Sequence, residues 1–292
     1  MINSKFKIKK LINLIIEVFI YSLFGLCIGA IFKPEFISFI SVIKAIFPVI
    51  YCEYWFMTTY IIMYLLSPFM NKLFNVLNKN ELKKLIFILI IIEVVIPTLT
   101  TSEFKFSSVL WFMTLYIIGA YINKFSHKFL ENQKQNIIII VLSYLLISIS
   151  IIIFDFLGMK IKIISLHATY FAKINSILCV LCSISLFLYF KNMKIFYSNI
   201  INTISSTTLG IYLIHSNTFI GPIIWESIFK CATYADSKFL IINALIAIVC
   251  VFIACSIIDL IRQVILDKLV NKKIEKILSK IEILSEKIKI IE

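Results

Sequence analysis

Long apolar runs, parted by short polar stretches that carry lysines, fill the chain from end to end. Residues 11–32, 51–70, 85–100, 108–123, 137–157, 168–190, 204–226 and 239–266 each approach the ~20 apolar residues that a helix needs to cross a bilayer. The pattern predicts an all-α, polytopic transmembrane bundle of about eight spans. Residues 37–50 are apolar but too short to cross, and hold Lys44 and Pro48, which predicts an interfacial or re-entrant segment on the outer side. The seventh run carries Ser205, Thr208, Tyr212 and His215, spaced by three, four and three, so one helix would set all four on one face. Hydrocarbon offers such groups no partners, so that face should turn to the bundle interior or a water-filled cavity. Gly221-Pro222 is the expected bend.

The end of the chain follows a different rhythm. Val270, Ile274, Ile277, Ile281, Leu284, Ile288 and Ile291 alternate spacings of four and three, with lysines and glutamates between them. This divides the chain into a bundle over 1–266 and a cytoplasmic amphipathic or coiled-coil helix over 267–292. The helix would lie on the inner leaflet or support self-association.

Composition agrees: 61% of residues are hydrophobic, against roughly 45–50% in soluble proteins, and mean hydropathy is +0.99. That leaves no room for a separate soluble domain. The formal charge of +13 does not point to nucleic acid, because Arg262 is the one arginine and no basic patch is interleaved with base-stacking aromatics. Lysines instead set topology and meet anionic lipid. With the first residues inside, inner segments outweigh outer ones by roughly three to one in Lys and Arg, predicting a plasma-membrane protein with both termini cytoplasmic. The basic start and first apolar run read as a span and not a cleaved leader. Seven scattered cysteines, with Cys179 and Cys182 inside an apolar run, read as small buried hydrophobes, and no metal-ligand spacing occurs.

His215 is the sharpest chemical candidate, a cavity-facing base toward a hydroxyl or else a packing histidine bonded to its neighbours. Glu226, eleven residues on, would orient it if the helix ran straight. Ser205, Thr208 and Tyr212 are cavity-lining candidates for substrate. Glu17 and Glu93 lie within spans and should pair, protonate or line water, with Lys173 as a possible partner. Asp259 and Arg262, three apart, can pair. Tyr54 and Trp55 suit interface anchoring more than sugar stacking, and His127 and His167 fall in loops.

Two stretches carry a resemblance. Residues 53–72, EYWFMTTYIIMYLLSPFMNK, resemble the aromatic span and Ser-Pro-Phe-x-Asn-Lys of bacterial acyltransferase family 3, and Leu209-Gly-Ile-Tyr-Leu-Ile-His resembles a late helix of the same proteins. The resemblance implies an integral membrane O-acyltransferase moving an acyl group, usually acetyl from acetyl-CoA, to a hydroxyl of a cell-surface glycan or lipid-linked sugar. No tightly bound cofactor is implied; acyl-CoA is a donor substrate, and membrane lipids are the other partners. Family members have about ten spans, the first bearing an arginine and a histidine to which transfer is attributed. This chain matches from their third span onward, and no histidine precedes His127. The resemblance therefore implies impaired transfer, or a non-catalytic remnant or glycan-handling component.

Overall fold

The computed structural model describes residues 6–100, 107–125, 131–161, 164 and 167–269. Among them there is no strand. In chain order the helices are α1 (Ile8–Phe32), α2 (Phe39–Ile46), α3 (Trp55–Val76), α4 (Lys79–Ile90) and α5 (Ile96–Thr100). Then come α6 (Ser108–Lys124), α7 (Gln133–Gly158), α8 (Ile177–Lys191), α9 (Asn199–Ser206), α10 (Thr208–His215), α11 (Ile220–Pro222) and α12 (Leu240–Leu269). Four helical stretches among the described residues are long and apolar enough to cross a membrane: Ile8–Phe32, Gln133–Gly158, Tyr170–Lys191 and Leu240–Ile265. His127 and the seven-residue repeat over 270–291 lie outside the described residues.

Small polar residues start these helices where the sequence places them. Ser38 accepts from Ser41 N at the head of α2, and Asn78 accepts from Asn80 N and Glu81 N at the head of α4, each closing a capping box. Asn132 and Ser176 cap α7 and α8 in the same way. The Asn78 cap corrects one expectation. The polar stretch between the expected spans 51–70 and 85–100 is mostly helix, with only a short link between α3 and α4, because Pro68 sits inside α3 without ending it and α4 begins at Lys79. A π-helical segment, Ile91–Val95, joins α4 to α5 and contains Glu93.

The chain forms two compact units. One comprises the described residues between 66 and 196. Its core gathers Met70, Phe74, Leu82, Ile117 and Ala120, with Val94, Trp111 and Val180 in a second cluster. Helix ends in this unit are closed by side chains from other helices. Lys124 Nζ donates to the Phe74 carbonyl at 2.7 Å, Lys191 Nζ to Ile122 at 2.9 Å, and Gln133 Nε2 to Asn192 at 2.7 Å. Each donor meets carbonyls that a terminating helix leaves without partners. The C-terminal ends of α3, α6 and α8 are thereby closed by basic or amide side chains. Most of α7 bears large exposed apolar residues, among them Tyr144, Ile152 and Phe156, as a helix facing lipid should.

The other unit combines the described residues up to 65 with those from 197 onward. Its core holds Val18, Tyr21, Tyr54, Met57, Leu213, Ile214, Ile220, Val251 and Cys255. Through it runs a polar network. Arg262 reaches Glu17 Oε1 through Nη2 at 2.7 Å and Asp259 Oδ1 through Nε at 2.7 Å. Tyr21 donates its hydroxyl to Asp259 Oδ1, and Gln263 Nε2 donates to Asp259 Oδ2 at 2.7 Å. Asp259 is 0% exposed. A Cβ built on Gly210 would fall on the Asp259 side chain, so α10 meets α12 there only because position 210 is glycine. The expected Asp259–Arg262 pair is present. Glu17 also finds a cation, which its own stretch of sequence did not name.

Removing the cation alone should be worse than removing Glu17, the less buried of its two acids. Arg262→Met is expected to lower stability by about 3–5 kcal/mol, the usual consequence of leaving a buried carboxylate uncompensated. Glu17→Gln, which keeps a hydrogen-bonding oxygen, should lose well under half of that. Thermal unfolding of the two purified variants in one detergent measures the order, and equal losses would contradict it.

Candidate functional site

The segment expected as one helix over 204–226 is broken twice. At Thr207, which is 0% exposed, the hydroxyl donates to the Ile204 carbonyl at 2.8 Å and lies 3.2 Å from Ser256 Oγ, ending α9 and starting α10. The second break follows His215, several residues before the expected bend at Gly221-Pro222. Here Asn217 accepts from Phe219 N at 2.9 Å and Ile220 N at 3.2 Å, acting as an N-cap for the turn that resumes the helix. Its amide donates to Tyr54 Oη at 2.6 Å and to the Tyr21 carbonyl at 3.4 Å. Gly25 and Gly29, one turn apart on α1, leave the space that Asn217 and Phe219 occupy.

Tyr54 is therefore 2% exposed and hydrogen-bonded, which corrects its reading as an interface anchor. Its hydroxyl is an interior partner, while Trp55 stays on the surface. The turn before it is strained, since Cys52 takes a left-handed φ of 56°. Out of this turn comes Glu53, which accepts from Thr218 Oγ1 at 2.8 Å and faces Lys44 Nζ at 3.5 Å. The strained turn and the broken helix are thus tied at two successive residue pairs, 53 to 218 and 54 to 217.

Beside them opens a cavity of about 340 Å³. Its polar lining comprises Lys33, Lys44, Glu53, Thr218 and Glu226, with Ser38 and Ser41 from the head of α2. Phe36, Phe219 and Pro222 form the apolar part. Lys33 Nζ lies 4.0 Å from Glu226 Oε2. Paired ammonium and carboxylate groups beside aromatic rings can hold a polar, partly apolar small molecule in one orientation.

The sequence-derived candidates fall around this cavity unevenly. Glu226 lines it, but its side chain is 70% exposed and faces Lys33. The break after His215 and the π-helical segment Ile223–Ile228 remove the straight-helix register that would have set Glu226 behind His215. His215 donates Nδ1–H to the Ile211 carbonyl at 2.6 Å, which leaves Nε2 as the acceptor nitrogen. Its ring meets Tyr212 and Trp225 edge-on, both at 6.2 Å. Trp225 Nε1 donates to the His215 carbonyl at 3.3 Å, and His215 is not among the residues that line the cavity. Ser205 and Thr208 are exposed, their hydroxyls bonded to the carbonyls of Asn202 and Ser205. The break at Thr207 separates Ser205 from the other three stripe residues, and Tyr212 contacts the Tyr54 and Phe56 rings. Elsewhere, Glu93 is buried in the π-helical segment and Asn175 Nδ2 donates to its carbonyl at 3.1 Å. Lys173 lies over the Tyr170 ring.

Lys33, Lys44, Glu53, Asn217 and Thr218 are the residues sequence reading did not select. A signal existed: Lys44 in an apolar segment too short to cross, and Glu53 heading the aromatic span.

Water should reach the cavity and not the core beneath it. In a chain whose native cysteines are replaced by Ser or Ala, Ser41→Cys and Thr218→Cys should react with a charged, membrane-impermeant thiol reagent. Leu213→Cys and Ile214→Cys, both buried, should stay protected under the same exposure. Similar labelling of both pairs would show that the cavity is not a water-accessible site.

The model of the acyltransferase domain family matches residues 2–260. Searches of curated proteins and of solved structures returned no match. The matched span takes in α1, the cavity, the broken helix and α12 as far as Leu260, and the chain belongs to acyltransferase family 3.

Proposed function

We propose that this membrane acyltransferase-family protein moves an acyl group, acetyl from acetyl-CoA, to a hydroxyl of a cell-surface glycan or lipid-linked sugar. The acceptor enters the cavity lined by Lys33, Lys44, Glu53 and Glu226. The observation that carries the reading is this cavity, mostly apolar in its lining but with four charged side chains on its wall, inside a family match that covers most of the chain. Carboxylates and lysines orient hydroxyl groups through charge-assisted hydrogen bonds. His215 does not line this cavity, but it is the one imidazole of the broken helix, and we take it as the base that the transfer assay tests. Lys72, Lys83 and Lys84 are exposed and can meet the phosphates of the donor.

A binding-only role is the second reading. It is favoured by the same histidine, whose ring is held edge-on by two aromatics as a packing residue would be.

In this proposal the chain crosses the plasma membrane about eight times with both ends cytoplasmic. The four apolar stretches and the helix ends closed by Lys124 and Lys191 support it. Reporter fusions after Asn78 and after Lys134 should read cytoplasmic, and a fusion after Lys160 external. An external reading after Asn78 would overturn the layout.

Transfer itself can be read with labelled acetyl-CoA and membranes containing the chain. Acceptor labelling should fall by about 10²–10⁴-fold in His215→Gln, the range for loss of a positioned base. Lys44→Met should raise KM for acceptor more than it lowers kcat. Labelling indifferent to His215 would remove the histidine from the chemistry. No labelling at all, with acceptor still bound, would favour the binding-only reading.

A further inference from the structure

The cavity wall carries two ammonium groups and two carboxylates, and it pairs them across elements. Lys33 ends α1 and faces Glu226 at 4.0 Å, while Lys44 of α2 faces Glu53 at 3.5 Å. Neither contact is a close two-point ion pair, and both lysines keep N–H donors to spare. Among these four groups the charge sums to zero. A ligand with net negative charge would gain from the lysines and lose to the carboxylates beside them, and a net cation would meet the reverse. A neutral polyol can hydrogen-bond these groups but brings no charge to set against any of the four. A group holding one anion and one cation on neighbouring carbons can meet both kinds at once, its anion between Lys33 and Lys44 and its cation between Glu53 and Glu226. Charge complementarity then selects the ligand without changing the net charge of the site.

The remaining lining narrows the class. Of the lining hydroxyls, Ser41 Oγ donates to the Ser38 carbonyl at 2.7 Å and Thr218 Oγ1 to Glu53, which leaves the Ser38 hydroxyl to join the lysines at a phosphate, an acceptor of more hydrogen bonds than a carboxylate. Phe36 and Ile40, 62% and 63% exposed, line one side of the same cavity, a surface for the hydrocarbon next to a polar head. Thr218 and Glu53 hold each other at 2.8 Å, and their neighbours Asn217 and Tyr54 are bonded at 2.6 Å, so this half of the site is built before a ligand arrives.

We propose that the cavity binds a zwitterionic phosphate–ammonium group of no net charge, carried by a membrane lipid or by a water-soluble phosphodiester. The inference deepens the acceptor reading of this cavity and rests on it for its biological meaning. Binding itself does not require transfer to occur.

The test is calorimetric titration of the purified full chain in detergent with glycerophosphoethanolamine, glycerol 3-phosphate, ethanolamine and glucose at one ionic strength. Glycerophosphoethanolamine should bind at least about tenfold more tightly than any of the other three. Lys44→Glu should abolish that preference, and adding Glu53→Lys to it should restore the preference. Because Glu53 also holds Thr218, the rim pair provides an independent check. Glu226→Lys, at an exposed position, should weaken the preference, and Lys33→Glu combined with it should recover it. Nanodiscs distinguish the source: phosphatidylethanolamine, and not phosphatidylglycerol, should shield Ser41→Cys from thiol reagent if the group comes from a lipid. If the soluble compound alone shields it, the ligand is the water-soluble one. Equal binding of glycerol 3-phosphate, ethanolamine or glucose would overturn the proposal, as would no binding at all or charge reversals without effect. Acetyl transfer without zwitterion binding would sink this inference and leave the acyltransferase reading standing. Zwitterion binding without transfer would do the opposite.

Discussion

A carboxylate with no exposed surface, inside a helix surrounded by apolar residues, has to be satisfied by its own protein. Asp259 meets that demand by taking Tyr21, Arg262 and Gln263 together, and the packing of α1, α10 and α12 follows. Gly210 must be small to let α10 approach, and Arg262 must turn back to meet both Asp259 and Glu17. In a lipid setting, burying apolar side chains between helices gains little over leaving them in hydrocarbon. Directional contacts of this kind therefore decide which helices meet. The apolar core around Val18, Leu213 and Val251 fills the space that the polar network defines.

The broken helix is the second consequence of the same constraint. Backbone groups freed at a break need partners, and Asn217 provides them for Phe219 and Ile220 while its amide is taken by Tyr54 and Tyr21. A continuous helix here would have carried Thr218 and Phe219 past α1 without opening a space. Stopping it at His215 sets Thr218 opposite Glu53, and the cavity lies between the resumed turn, the end of α1 and α2. Irregular backbone within a membrane bundle is tolerated where it is buried in protein or lines a cavity, and the resumed turn lines one.

Much of the architecture was legible because hydrophobic run length needs no tertiary information. The ends of α1, α7 and α12 differ from the apolar runs by a few residues. The short segment at 37–50 does form a helix too brief to cross. Two errors share one cause. The link after α3 and the straight seventh helix were read from composition, whereas the Asn78 cap, the Thr207 break and the Asn217 cap are set by single side chains bonded to backbone. The site was read least well. His215 is distinctive in sequence, while Lys33, Lys44 and Glu53 look like ordinary charges until the fold brings them to one cavity with Glu226. Glu17 was marked as needing a partner, but a partner 245 positions away is invisible to local pattern.

The lone arginine has a practical consequence. Every other cation of known identity in the chain is a lysine or histidine, so isotope labelling of arginine would place one guanidinium signal in the whole protein. That signal would come from the junction of α1 and α12, where Nε and Nη2 serve different carboxylates. A spectroscopist would thus read the closure of the polar network from a single resonance, without assigning any of the surrounding helices.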